Sequence, residues 1–270
     1  MAGTTNPTGI QRPTPGATAG GEQRQGAQRR HRVEGVLWLV GLCVFVLSCF
    51  IMHAYHKAYP FDIAVTQAVQ SVQYPAWARA VIEFPSQLNN PQASLIALSI
   101  LSGGMLLLGV VFWRLKKVFL PWFQAAVFFV AAVMSSTGVN VLCDILVNRP
   151  RPNPQHDHIQ VHTAIVPFPT YPSGHTEHDV VYYGFLLYLS FTRPVREWRY
   201  RWVLLPFQLY AVFDILMIGY SRIFMGDHWV TDVLGGYLEG ALLLFLFIFL
   251  YRWATDLLAR WHARRAQANL

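Results

Sequence analysis

Six long apolar stretches constrain the fold of this chain more than any other feature. Crossing the hydrocarbon core of a bilayer, which is about 30 Å thick, takes about 20 mostly apolar helical residues. The stretches of that kind are 35–55, 92–113, 118–142, 174–192, 202–220 and 229–252. The composition, 54% hydrophobic and only 13% charged, is too apolar for an ordinary water-soluble domain. The sequence therefore predicts an all-α integral membrane protein, a bundle of six transmembrane helices.

The remaining segments divide the chain into regions. Residues 1–33 are rich in Gly, Thr, Gln, Pro and Arg without apolar periodicity, which predicts a disordered tail. Residues 34–253 form the predicted six-helix membrane domain, and 254–270 form a basic tail. Between the first two spans, 61–70 and 75–88 have short runs of helical apolar spacing. We expect both to be helices that lie at the membrane interface.

Basic residues orient the predicted spans, because short cytoplasmic loops are enriched in Lys and Arg. If both termini are cytoplasmic, 16 of the 21 basic residues lie inside. The outside set is Lys57, Arg79, Arg149, Arg151 and Arg222. Membrane topology thus accounts for the net charge of +7, and no nucleic-acid partner is predicted.

The segment 221–232 contains a histidine and a carboxylate four residues apart, His228 and Asp232. On a helix this spacing places both side chains on one face. A carboxylate one turn away can hold an imidazole in one tautomer and stabilise its cation, as a nucleophilic histidine requires. The alternative is a structural hydrogen-bonded pair.

Two upstream segments complete a pattern with this one. The three segments together resemble the signature of the type 2 phosphatidic acid phosphatase superfamily, integral membrane lipid phosphatases related to vanadium haloperoxidases. That signature reads K-x6-R-P, P-S-G-H and S-R-x5-H-x3-D, and the resemblance covers roughly 35 to 253. The matching positions are Arg151, Pro152, Pro172, Ser173, Gly174, His175, Ser221, Arg222, His228 and Asp232.

The resemblance implies a mechanism and a set of catalytic residues. His228 would attack phosphorus, Asp232 would orient it, and His175 would protonate the leaving oxygen. Water would then hydrolyse the phosphohistidine, and no metal or other cofactor is implied. The phosphate-binding residues that the resemblance implies are Arg151, Ser173, Gly174 and Arg222. Arginine offers forked, permanently charged donors, and a helix N-terminus offers backbone N–H groups.

Three further residues are candidates for supporting this site. Asp144 stands where the signature has lysine, seven residues before Arg151. It either pairs with an arginine of the 149–151 segment and tunes its position, or faces a wet loop. Asp214 and Ser221 lie in or at the end of the fifth span, and Asp214 is either a partner of the arginines or a polar contact between helices. Arg149 and Arg151 have the alternative role of headgroup anchors.

The loop segment 156–162 has three histidines, His156, His158 and His162. Imidazoles suit zinc or copper, but the spacing matches no closed metal site. A flexible polar loop is the favoured interpretation, and the functional role that would suit it best is a lid over the phosphate pocket.

The resemblance implies hydrolysis of a lipid phosphate or diphosphate in the bilayer, of polyprenyl diphosphate, phosphatidate or phosphatidylglycerophosphate type. The alternatives are a lipid headgroup phosphotransferase and a catalytically weakened phospholipid-binding protein. All three motifs fall on one membrane face, because the first two share a loop and the third follows two more crossings. We expect that face to be extracytoplasmic and the membrane to be a bacterial plasma membrane. The sequence indicates no particular oligomeric state.

Overall fold

The computed structural model describes residues 15–55, 57–115, 117, 119–163 and 168–268, and all regular structure in these ranges is helical. The helices are α1 (Pro15–Ala54), α2 (Pro60–Ser71), α3 (Ala76–Leu88), α4 (Pro91–Arg114), α5 (Leu120–Val147), α6 (Pro154–Asp157), α7 (Gly174–Ser190), α8 (Leu205–Phe224) and α9 (Val230–Ala268). Two 3₁₀ turns, Val195–Glu197 and Arg201–Leu204, lie between α7 and α8. The chain forms two compact units, through Cys43 and from Val44 onward, and the site described below lies wholly in the second.

Five helical segments of the described chain are long and apolar enough to cross a membrane. They are Arg29–Ala54, Pro91–Arg114, Leu120–Val147, Arg201–Phe224 and Val230–Ala268. The sixth predicted stretch, 174–192, corresponds to α7, which has 17 residues and is shorter than the about 20 that a span usually needs. The all-α membrane fold is confirmed, whereas the count of six spans stays a prediction.

Residues 15–33 of the predicted N-terminal tail belong to helix α1. This helix begins at Pro15, and residues 1–14 lie outside the described part of the chain, so the division of the chain near residue 33 stays a prediction. Proline suits the first turn of a helix, and Ala, Gln, Arg and Glu are good helix formers. Arg30 and Glu34 lie one turn apart, and an ion pair between Arg30 Nε and Glu34 Oε1, at 2.9 Å, stabilises the helix there. The same stretch has four glycines, Gly16, Gly20, Gly21 and Gly26, which disfavour a helix, so propensity alone does not explain why α1 extends beyond its apolar stretch.

The other flanking segments are helical too. The predicted helices at 61–70 and 75–88 occur as α2 and α3, although their place at the membrane interface stays a prediction. Helix α9 continues to Ala268, so the basic residues from 254 onward extend the last helix. Residues 269 and 270 of that predicted tail lie outside the described ranges.

Helix α7 packs against α5, α8 and α9. Its side chains Val181, Phe185 and Leu189 are buried with Phe129 of α5 and Tyr251 of α9 in the main core. Lipid tails are as apolar as these side chains, so close packing, and not exclusion from water, holds such helices together. This packing fixes the position of the α7 N-terminus, where Ser173, Gly174 and His175 lie.

Small residues bring the first turns of α7 and α9 together. The backbone N–H of Ser173 donates to the backbone oxygen of Asp232 at 3.0 Å. A Cβ atom at Gly236 would lie 2.5 Å from the backbone oxygen of Ser173, and one at Gly240 would lie 2.8 Å from Cβ of Val180. Only glycine allows this approach, which joins the second and third motifs.

Gly236→Ala is expected to lower the free energy of unfolding by about 1–3 kcal/mol, because the new methyl group meets backbone that cannot move aside. The control is Gly138→Ala on α5, where a Cβ meets nothing within 4 Å. Alanine favours helix over glycine, so this variant should be as stable as the wild type or slightly more stable. The measurement is thermal unfolding in detergent, and equal melting of the two variants would contradict the close approach of α7 and α9.

Candidate active site

His228 does not lie on a helix, contrary to the expectation from its spacing to Asp232. It lies in the turn between α8 and α9, and Asp232 is in the first turn of α9. The Asp232 carboxylate accepts a hydrogen bond from the backbone N–H of Trp229 at 2.8 Å, which closes this turn. Both side chains are buried, and His228 Nδ1 is 3.9 Å from Asp232 Oδ2, too far for a direct hydrogen bond.

Thr170 connects the two side chains. Nδ1 of His228 lies 2.9 Å from the Thr170 carbonyl oxygen and 3.0 Å from its hydroxyl, and that hydroxyl donates to Asp232 Oδ2 at 2.9 Å. A carbonyl oxygen only accepts, so the network assigns the proton to Nδ1 and the lone pair to Nε2. No sequence pattern pointed to Thr170, because it lies in a loop far from both residues in the chain.

Arg149 joins Asp232 to helix α2. Its guanidinium is fully buried, bonds Asp232 Oδ1 through Nη1, and donates from Nη2 to Asp62 Oδ2 at 2.7 Å. Asp62 also accepts from the backbone N–H of Thr231 at 3.0 Å. Burial lowers the pKa of Arg149, but the carboxylates of Asp232 and Asp62 outweigh it and leave this pKa above its ordinary value.

Arg149 is therefore no headgroup anchor, and it was missed as a site residue. The available signals were the repeated Arg-Pro pair and, for Asp62, a single acidic residue in the apolar helix α2.

His175 and His228 face the same region, with ring centroids 6.5 Å apart. Ser173 precedes α7, and its hydroxyl makes no capping bond but accepts from Thr176 Oγ1 at 3.0 Å. The Ser173 proton is thereby left for another acceptor. Gly174 is packed so closely that a Cβ would lie 2.7 Å from Oδ1 of Asn140. The start of α7 thus presents a histidine, a hydroxyl and backbone N–H groups together.

The two predicted phosphate-binding arginines meet at Asp227. Arg151 donates to the backbone oxygens of Phe168 at 2.9 Å and Asp227 at 3.1 Å, and Arg222 Nη2 lies 2.7 Å from Asp227 Oδ2. Burial, and then the charges of Arg151 and Arg222, lower the pKa of His228 well below its ordinary value. The neutral imidazole, the nucleophilic form, is therefore favoured.

Neither Asp144 nor Asp214 forms an ion pair with an arginine of the site in the described ranges. Asp144 forms no ion pair with Arg149 or Arg151 among the described residues, so the predicted salt bridge is wrong. Its Oδ1 is buried without a hydrogen-bond partner there, whereas the residue as a whole is partly exposed. Asp214 accepts from Tyr210 at 2.7 Å, one turn away on α8, and the Ser221 hydroxyl lies 2.7 Å from that of Ser86.

The histidine-containing loop is held by α2. Gln70 binds both backbone groups of Gln160, at 2.7 Å and 2.8 Å, and also the Phe224 carbonyl at 2.9 Å. Gln67 donates to the Asp157 carbonyl at 3.3 Å. Within the described ranges no three His, Cys, Asp or Glu side chains are grouped as metal ligands, so the histidines of this loop do not form such a cluster.

The geometry agrees with comparisons with known proteins. The model of the PAP2 superfamily matches residues 125–256, which contain all three motifs. Phosphatidylglycerophosphatase B of Bacillus subtilis (strain 168) is 35% identical over 82 residues, 28% of this chain, and the chain matches only 36% of the length of this relative.

A solved structure is similar over a longer part of the chain. The crystal structure of a transmembrane PAP2 type phosphatidylglycerolphosphate phosphatase from Bacillus subtilis has a TM-score of 0.58 and covers 77% of this chain and 94% of that chain. The identity is 21%, so this likeness shows a shared fold. With its three motifs brought together inside residues 125–256, this part of the chain matches the PAP2 superfamily.

Proposed function

We propose that this protein is a membrane lipid phosphatase that works through a phosphohistidine. The observation that carries the proposal is the buried His228, whose Nδ1–H is held by Thr170 and whose Nε2 keeps its lone pair beside Arg151 and Arg222. A neutral imidazole with positive charges nearby is suited to attack an anionic phosphate.

In the proposed mechanism, Nε2 of His228 attacks phosphorus while the bond from phosphorus to the lipid oxygen breaks. His175, which must be in its cationic form when the anionic substrate is bound, gives its proton to that leaving oxygen and becomes neutral. Water then attacks the phosphohistidine and passes a proton to His175, which releases phosphate and restores both histidines. Asp232, acting through Thr170, stabilises the positive charge that develops on His228.

The phosphate oxygens would be bound by two kinds of donor. Arg151 and Arg222 supply charged N–H groups, Ser173 supplies a hydroxyl, and Gly174 supplies a backbone N–H at the start of α7. Charge on these oxygens redistributes in the transition state, so donors already in place lower the barrier without reorganisation. Supporting roles for Asp144, Asp214 and Ser221 remain part of this proposal, without the salt bridge first expected of Asp144.

A groove beside His175 supports a lipid substrate. It has a volume of about 420 Å³, lies between α4, α5 and α7, and reaches Gly174 and His175. Leu95, Leu98 and Val133 are among the apolar side chains that line it. Because His175 would protonate the leaving oxygen, the hydrocarbon part of the substrate is expected on this side.

Phosphatidylglycerophosphate is the first substrate to test, in view of the relative named above, followed by phosphatidate and polyprenyl diphosphate. The excess of basic residues in alternate loops supports both termini in the cytoplasm and a site that opens on the opposite face of a bacterial plasma membrane.

The decisive experiment measures phosphate release by the detergent-purified protein from these lipids, with chelator present. Release from one lipid identifies the preferred substrate and a reaction that needs no free metal ion. Transfer of the phosphorylated group to an added alcohol, in place of phosphate release, would indicate a phosphotransferase. If no lipid is turned over, the phosphatase proposal fails and a phospholipid-binding role is the one to pursue.

A further inference from the structure

Asp227 lies among the groups that are proposed to bind phosphate. Its carboxylate pairs with Arg222 at 2.7 Å, and its backbone oxygen accepts from Arg151 at 3.1 Å. Both side chains of the ion pair are nearly buried, at 5% exposure for Asp227 and 8% for Arg222. Solvent therefore screens this pair little.

A carboxylate binds a guanidinium with the same donor geometry that a phosphate uses. We propose that Asp227 is a built-in counter-ion of Arg222, which competes with the phosphate group of substrate and product for this guanidinium. The inference rests on the proposed function, in that it assigns Arg222 to phosphate binding.

Neighbouring groups hold the carboxylate in this position. Its other oxygen, Oδ1, accepts a hydrogen bond from the Thr163 hydroxyl, and the Asp227 N–H donates to the Arg222 carbonyl at 3.1 Å. Gly226, with φ of +72°, makes the turn, and a Cβ there would lie 2.1 Å from the Gln160 carbonyl oxygen. The loop that carries Gln160 and Thr163 thus packs directly against the turn that aims Asp227.

Arg222 keeps at least one donor for an incoming anion. Its Nε is buried and has no hydrogen-bond partner in the described part of the structure, and Nη2 lies 2.7 Å from Asp227 Oδ2 in an ion contact that does not have hydrogen-bond geometry. A phosphate group can therefore bind Nε first and replace the carboxylate at Nη2 afterwards.

The expected consequence is weak retention of the released phosphate. Inorganic phosphate carries up to two negative charges near neutral pH, and a fixed carboxylate on the same arginine opposes both. The site then favours release of product, at the expense of some affinity for a dianionic substrate.

In the alternative role, Asp227 positions Arg222 for phosphate binding. The two roles predict opposite changes in phosphate affinity when the charge of Asp227 is removed. With Asp227→Asn, the competing charge is removed while shape is kept. Competition predicts that inorganic phosphate binds about tenfold more tightly, because a like charge beside the bound anion is gone. Positioning predicts binding that is weaker or unchanged.

The probe is inorganic phosphate, measured as a competitive inhibitor of lipid turnover and, independently, by its stabilisation of the purified protein against heat. The matched control is Asp256→Asn, an equal change of charge on the exposed part of α9. This control should leave phosphate affinity as in the wild type.

Asp227→Ser provides a second variant should Asp227→Asn fold poorly. It removes the competing charge and keeps a small polar side chain in the turn, so competition again predicts tighter phosphate binding. Phosphate affinity that is unchanged or lower in a folded variant overturns the inference. Heat stabilisation needs no hydrolysis, so tighter phosphate binding in a protein that turns over no lipid would sink the proposed phosphatase and leave the role of Asp227 standing.

Discussion

Replacing His228 with alanine is expected to lower phosphate release from the preferred lipid by at least about 10⁴-fold, as is usual when a covalent nucleophile is removed. No other imidazole of the described chain is placed to substitute, since the ring of His175 lies 6.5 Å away, across the space where the phosphoryl group would bind. The arginines and the start of α7 would still bind phosphate. The loss should therefore appear in kcat, with KM little changed.

The matched control is His262→Ala, which removes a histidine from the exposed end of α9 and should leave turnover as in the wild type. Single-turnover experiments with phosphorus-labelled lipid provide a direct readout, because label should attach to the wild type and not to the alanine variant. If the alanine variant turns over lipid within about tenfold of the wild type, His228 is not the nucleophile, because removing a covalent nucleophile lowers kcat by far more than tenfold.

The sequence predicts the parts of this site that lie in short motifs. His175 and His228 come together as expected, as do Ser173 and Gly174 at the start of a helix. Within the second motif the spacing is short, so local backbone geometry places Ser173, Gly174 and His175 at the start of a helix. The approach of His175 to His228, in separate motifs, was expected only from the resemblance to the superfamily signature.

Contacts between distant segments could not be predicted in the same way. The expected direct contact of Asp232 with His228 assumed a continuous helix, but α9 begins only at Val230 and Thr170 occupies the position between them. Thr170 is 58 residues from His228, and Asp62 is 87 residues from Arg149. The packing of the whole bundle decides which loop fills a gap between two helices. A local sequence pattern therefore cannot predict this contact.

The start of α1 could not be predicted for a different reason. Apolar periodicity marks helices that bury one face, whereas residues 15–33 are polar. Their helix continues an established one, and adding a residue to an existing helix costs far less than starting one.

The buried arginine, Arg149, leads to the second large effect. Arg149→Met should lower the free energy of unfolding by about 3–5 kcal/mol, because Asp62 and Asp232 would be left as buried carboxylates without a counter-ion. Phosphate release should fall as well, since Asp232 would lose its position beside Thr170. Arg149→Lys keeps the charge but cannot fork to both carboxylates, so an intermediate loss is expected.

Arg151→Met is the matched control, from the same segment and with the same change in size and charge. Arg151 forms no carboxylate ion pair within the described chain, and its contacts go to the backbone oxygens of Phe168 and Asp227. Its replacement should therefore weaken substrate binding and leave thermal stability nearly unchanged. Similar melting of the two methionine variants would show that the buried ion pairs do not stabilise the protein.

A double variant separates the ion pairs from the size of the side chain. In Asp62→Asn/Arg149→Met, one of the two unpaired charges is removed, so part of the stability lost in Arg149→Met should return. The double-mutant cycle should give an interaction energy of about 0.5–3 kcal/mol, as for other contacting pairs. Recovery of stability without recovery of phosphate release would mean that Arg149 also positions Asp232, because the Asp62→Asn change relieves the buried charge but cannot restore the missing bond to Asp232 Oδ1.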